Sequence, residues 1–323
     1  MKKLLLLSAL AVGPAASFAV TWNETEANDT LFTPNSFSLS VGDDVSGATT
    51  GSSTTTAGLG SADYFRLGFG AQTLAVYRNR MTLNPGSTAP TGNGGTLVGR
   101  TTATTITASN IQLSSTATSP ARFNQWYSFG VAHSIDYRVT GVATSTAAYS
   151  SVYSQDTVTV GSLGTISAGM HNFSTLAAGT ADTEIVVLDM SGNILETNDD
   201  TSSATTDSEV DINLVAGQSY YIAVGRYNTA GNVAANGVGV VEPGDFTSGS
   251  YYLNANMLAS SSNSSGTYDL AVDGTSVATG AFVANTDAFR VDFYTVRAVP
   301  EPTSMAALGL GVAALARRRR NKK

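Results

Sequence analysis

The 323-residue chain contains no cysteine. That excludes a disulfide framework, a thiolate nucleophile and any cysteine-ligated metal, so the fold is held by its core alone. Charge is scarce as well, at 13% of residues, and it is segregated. Lys2, Lys3, Arg317 to Arg320, Lys322 and Lys323 are eight of the 17 basic residues and lie at the two ends. Between them there is no lysine, and nine arginines face 24 acidic residues, a balance of −15. Such a surface repels polyanions, which excludes nucleic acid as a partner. Histidine occurs only as His133 and His171, without HExxH or GxSxG, and the "GNGG" run from Gly92 has no helix after it to cradle a phosphate. The usual metalloprotease, hydrolase and nucleotide-binding signatures are therefore missing, and the chain reads as non-catalytic. A hydrolase would need Ser, His and Asp to meet through space.

What is present suits β-structure. Hydrophobic residues make up 42% of the chain, no segment sustains a helical period, and β-branched and aromatic residues alternate between polar turns. "DTEIVVLDMSGNILETND" predicts a hairpin, with strands over Glu184–Leu188 and Ile194–Thr197 about a Ser191-Gly192-Asn193 turn. "QSYYIAVGRY" predicts a strand over Tyr220–Tyr227, launched by a turn at Gly217. Further strands are expected over Ser36–Val41, Tyr64–Phe69, Thr73–Arg78, Trp126–Phe129, Ser134–Thr140, Asp156–Val160, His171–Thr175, Ser208–Leu214, Tyr268–Val272 and Phe289–Val296. Many short strands predict an all-β, jelly-roll-like sandwich. "SGATTGSSTTTAGLGS", "NPGSTAPTGNGGT" and "SSSNSSG" read as loops.

The ends read as targeting segments. Lys2 and Lys3, the apolar Leu4–Val12 run, and small residues at Ser17 and Ala19 form a secretory leader over residues 1–19, cut after Ala19. At the other end, Pro300-Glu301-Pro302 precede 14 uncharged residues, Thr303–Ala316, and then Arg317, Arg318, Arg319 and Arg320. As a helix, 14 residues reach about 21 Å against a hydrocarbon thickness of about 30 Å. That is short for a stable span, and the basic cluster holds the extreme end in the cytoplasm. The segment from residue 298 to 323 resembles the PEP-CTERM sorting signal. The resemblance implies an exosortase-like membrane protease that reads the tripeptide and removes the tail. It also implies transient inner-membrane anchoring through the short helix, and a final place in the periplasm, on the outer surface or in the matrix.

Residues 20–297 are then the ectodomain. "ETEANDT", "SADYFRLGF", "TADTEIVVLDMSGNILETNDD" and "LVAGQSYYIAVGRY" resemble successive landmarks of the bacterial pre-peptidase C-terminal domain, a jelly-roll-like sandwich, over about residues 24–227. The resemblance leaves an insertion at about 74–163, with residues 228–297 finishing the sandwich or forming a small lobe. Physically, Asp63 before Tyr64 and Phe65 places a carboxylate where a strand starts and an aromatic on each face.

Two ligand readings remain beside that of a structural or binding component of the envelope or exopolysaccharide matrix. No cofactor is required, but Asp182, Asp189, Asn198, Asp199, Asp200 and Asp207 crowd one hairpin region, and calcium takes six to eight such oxygens. The spacing fits no EF-hand, and Asx residues also serve their own turns. Trp126 and Tyr127 could stack on a sugar, making a calcium-stabilised carbohydrate-binding module, although strand alternation sends one of two neighbouring rings into the core.

Overall fold

The computed structural model describes residues 19–30, 33–50, 62–85, 94–100, 108–113, 122–141, 146–175, 179–199, 201, 206–226, 257–258, 265–283 and 289–301. Among them every regular element is a strand. Four sheets form, and their strand order divides the chain near Val158.

Before that point, one sheet runs β1 (Thr21–Asn23), β3 (Asp44–Thr50), β10 (Thr146–Thr157), β5 (Tyr77–Pro85), β8 (Phe123–Ser128), with the late strand β17 (Met257–Leu258) at its edge. Its partner sheet runs β2 (Asn35–Ser38), β4 (Ala62–Phe69), β9 (His133–Thr140), β6 (Gly94–Arg100), β7 (Ala108–Leu113). Period-2 alternation sends Phe65, Leu67 and Phe69 of β4, Ile135, Tyr137 and Val139 of β9, Tyr149 and Tyr153 of β10, and Trp126 of β8 into a shared core. Beyond Val158, β11 (Val160–Ser167), β20 (Val291–Val299), β16 (Ser219–Arg226), β13 (Thr183–Asp189) and β14 (Ile194–Asn198) make a third sheet. Over it lies the fourth: β15 (Glu209–Leu214), β12 (Gly169–Ser174), β18 (Gly266–Val272) and β19 (Thr275–Phe282). Ile185, Val187, Ile222, Val224, Tyr268 and Leu270 fill the core between them.

The all-β sandwich expectation holds, but there are two sandwiches rather than one. The region expected as an insertion supplies β5 to β10, most of the first sandwich. The region expected as a small lobe supplies β18 to β20, and β20 sits in mid-sheet between β11 and β16.

The sandwiches meet face to face. On β8 alternation points Trp126 into the first core and Phe123 and Tyr127 out of it. Those two join Phe129, Val186, Leu188, Tyr221, Ala223, Val291 and Phe293 in a third core between the sandwiches. The molecule is thus four layers of sheet with an apolar seam in the middle. A polar tie crosses the seam: Tyr127 Oη donates to Phe289 O (3.0 Å) and accepts from Val291 N (3.1 Å), while Gln125 Nε2 donates to the same carbonyl at 2.7 Å. Phe289 is fully buried at φ 66°, a backbone region costing an L-residue about 1–2 kcal/mol, and the tie holds it there. Gly192, at φ 84° in the β13–β14 turn, lies so close to the Phe129 ring that any Cβ would overlap it.

Candidate metal centre

The alternation that fills the first core also places a carboxylate in it. Asp63 shares the inward face of β4 with Phe65, Leu67 and Phe69, and is 0% exposed. Neither of its carboxylate oxygens makes a hydrogen bond of ordinary geometry, and the groups lying against it are the Glu24 carboxylate and the Tyr149 hydroxyl. Two more carboxylates reach it from the segment after β1. Glu24 continues the inward face of Trp22, its backbone N donating to Ser46 O at 2.8 Å. The chain then crosses from one sheet to the other: Thr25 exchanges hydrogen bonds with the Asn35 amide, and Tyr64 N donates to Asn28 O at 3.0 Å. Glu24, Glu26 and Asp63 each bring an oxygen within 4.8 Å of the others.

The pocket is shaped for these groups. Ala48 N donates to Glu24 Oε1 at 2.7 Å and Tyr149 Oη to Glu24 Oε2 at 3.3 Å. A Cβ on Gly47 would overlap the Glu24 carboxylate and the Tyr149 hydroxyl. Burial pushes Asp63 up to about 8, and the Glu24 carboxylate beside it adds to the rise. Glu26 is also raised, by partial burial and by Asp29. Asn28 is fully buried, and its side-chain oxygen also lacks a partner. A buried carboxylate without a positive partner is costly, and a hard divalent cation is a group that would offset the cost.

The residues singled out from the sequence fall elsewhere. Asp189 serves its own turn, Oδ1 accepting from Ser191 N (2.8 Å) and Asn193 N (3.0 Å) and Oδ2 from Asn193 Nδ2 (2.7 Å). Asn198 Oδ1 accepts from Glu209 N at 3.2 Å. Asp199 and Asp207 accept through their backbone carbonyls, from Ser208 Oγ (2.6 Å) and Thr201 Oγ1 (2.6 Å). Asp182 lies just before β13, and Asp200 is outside the described residues. Asp189 is thus engaged in its own turn, while Asn198 and Asp199 tie the end of β14 to the start of β15. Trp126 and Tyr127, read as a sugar platform, are 0% and 2% exposed: one lines the first core and the other the seam, so neither ring presents a face to a sugar. The cluster at Glu24, Glu26 and Asp63 was not anticipated as a site, although "ETEANDT" and "SADYF" stood out as landmarks. The signal available was an acid in the inward register of an aromatic strand.

Both histidines are anchored. Trp126 Nε1 donates to His133 Nε2 at 3.0 Å, which leaves Nδ1 as the protonated nitrogen, facing Val131 O at 3.2 Å. Burial lowers His133 to about 4, so it stays neutral. His171 completes a serine–histidine–aspartate constellation, with Nδ1 2.7 Å from Asp273 Oδ2 and Nε2 3.4 Å from Ser167 Oγ. Nε2 lies closer, at 2.8 Å, to Ser167 O. A carbonyl only accepts, so this shorter contact is made with Nε2 as donor, and in that arrangement the ring does not accept from the serine hydroxyl. Asp273, held below its usual range by the Asn172 N–H and then by His171, fastens the β18–β19 turn to β12.

The C-terminal strand is paired to its last residue. Ala298 exchanges backbone bonds with Gln218 and Gly217 (2.9 and 2.8 Å), and Ala168 N donates to Val299 O at 2.7 Å. Pro300 and Glu301 follow directly, while Pro302 and the Arg317–Arg320 cluster lie outside the described residues. Residues 298–320 match the PEP-CTERM protein-sorting motif. The motif implies an exported, cell-envelope or extracellular protein processed by an exosortase, itself a membrane protein. No curated protein matches the chain. Among the described residues no helix is long and apolar enough to cross a membrane; the leader and the short tail helix expected from the sequence lie outside them.

Proposed function

We propose that this is a non-catalytic structural component of the bacterial envelope or its exopolysaccharide matrix, exported through its leader and released from the inner membrane at Pro300-Glu301-Pro302, and that calcium closes its first sandwich. The observation that carries the calcium reading is Asp63, a fully buried carboxylate whose charged neighbours are the carboxylates of Glu24 and Glu26. Three carboxylates supply oxygens of the kind a calcium ion takes, with water completing the set. The ion neutralises the acidic cluster and clamps the segment after β1 across both sheets, which suits a cysteine-free protein outside the cell, where calcium is abundant. Electrostatics supports the structural role, since a body with a balance of −15 stays soluble among anionic polymers.

The test is thermal unfolding of the processed protein with calcium and with chelator. Calcium is expected to raise the midpoint by several degrees, with a change in Trp22 emission because that ring lies two residues from Glu24. Equal midpoints in the two conditions would sink the calcium reading. Intact mass of the envelope form checks the sorting separately: both ends are expected to be missing, and replacing Pro300 and Pro302 leaves a membrane-held precursor.

A further inference from the structure

Asp43 is a second buried carboxylate, remote in role from the metal cluster. It ends the turn through Gly42 that leads into β3, and it is 3% exposed. Its Oδ2 accepts from Ser40 N at 2.8 Å and its Oδ1 from Val20 N at 2.8 Å. Its own backbone is also spent, N donating to Ser40 O (3.0 Å) and O accepting from Tyr153 N (2.8 Å). No cationic side chain among the described residues pairs with it. Two neutral N–H groups are thin compensation for a buried carboxylate, which ordinarily has a positive partner.

Val20 is the residue that follows Ala19, where the leader is expected to be cut. We infer that leader removal supplies the missing charge: the new α-ammonium of Val20 is the built-in ionic partner of Asp43. Hydrolysis of the Ala19–Val20 bond by a leader peptidase consumes one water. The departing leader keeps the Ala19 carboxylate, and the Val20 nitrogen, previously an amide with one hydrogen, becomes an ammonium with three. That nitrogen need not move, since it already donates to Asp43 Oδ1 at 2.8 Å. The neutral bond becomes a charge-assisted one. The rest of the residue is fixed as well, with Asp44 N donating to Val20 O at 3.0 Å. The other nearby carboxylate, Asp44, is occupied by Thr21 Oγ1 (2.8 Å), Ser46 Oγ (2.6 Å) and Ser150 Oγ (3.0 Å), and the Tyr153 hydroxyl donates to Asn79. Processing therefore tightens the hold of β1 on β3, four residues ahead of Glu24, and makes the cut chain more stable than the uncut one.

The inference rests on the export reading, and its test separates the two. The protein recovered from the envelope is sequenced from its N-terminus, and its amine is titrated by the pH dependence of acylation. Lys2 and Lys3 leave with the leader and Lys322 and Lys323 with the tail, so the α-amine is the one primary amine of the processed chain. The expected results are Val20 as first residue and an amine pKa at least about one unit above the usual 7.7–8.0. Asp43→Asn returns the pKa to that range and Asp44→Asn leaves it raised. Because Asp43→Asn can also impair folding, wild-type protein acetylated at its α-amine is compared with the free amine, and a lower unfolding midpoint is expected for the acetylated form. An ordinary amine pKa in the folded wild type, or equal midpoints, overturns the inference while export stands. A chain still carrying its leader overturns both.

Discussion

Asp63 occupies a core position of β4, so its protonation is tied to folding. Its pKa, raised to about 8 by burial and by Glu24, exceeds the unfolded value of about 3.9. The protonated form is favoured in the fold, so this contribution is complete below about pH 4 and is lost as pH rises through about 8. Without calcium, the protein is expected to lose stability steadily across that window in urea titrations. Asp63→Asn removes the slope, exceeds the wild type at pH 8, and no longer responds to calcium. Calcium needs the ionised carboxylate, so binding at pH 7 releases close to one proton, measurable by calorimetry in buffers of different ionisation enthalpy. Gly47→Ala tests the shape of the pocket: its methyl displaces the Glu24 carboxylate and weakens calcium binding by about 10- to 100-fold, as disturbing a group that orients a ligand usually does.

Among the elements, the strands legible in the sequence are those with aromatic and β-branched alternation, such as β4, β9, β13 and β16, where the pattern is the packing itself. β3, β6 and β19 were not legible. "DVSGATT" and "TSVATGAF" carry small and hydroxylated residues, and β6 begins inside a run read as a loop. Backbone pairing in mid-sheet and at the edges recruits them without a hydrophobic signature. The same limit hid the carboxylate cluster, because Glu24 and Asp63 are brought together by a chain crossing between two sheets, which no local spacing records. Tyr127 shows the reverse failure: a ring that looks like a ligand platform is a structural tie. Tyr127→Phe keeps the ring but leaves Val291 N without its acceptor, and is expected to cost about 1–3 kcal/mol in chemical denaturation.

For the whole molecule, the seam makes two sandwiches one folding unit. The rings of Tyr127, Phe129, Tyr221 and Phe293 are packed within it, with Phe129 5.3 Å from Tyr221 and 6.0 Å from Phe293. Calorimetry is expected to show a single transition. Ala223→Arg buries an unpaired charge at the seam and should split that transition in two, each half retaining its own core. The pairing of β20 up to Val299 has a mechanical consequence for the precursor. With Pro300, Glu301 and Pro302 alone between the last paired residue and the apolar tail, the tether is about 10 Å long when fully extended. In the proposed membrane-held precursor, that tether would keep the second sandwich within about 10 Å of the tail's entry point.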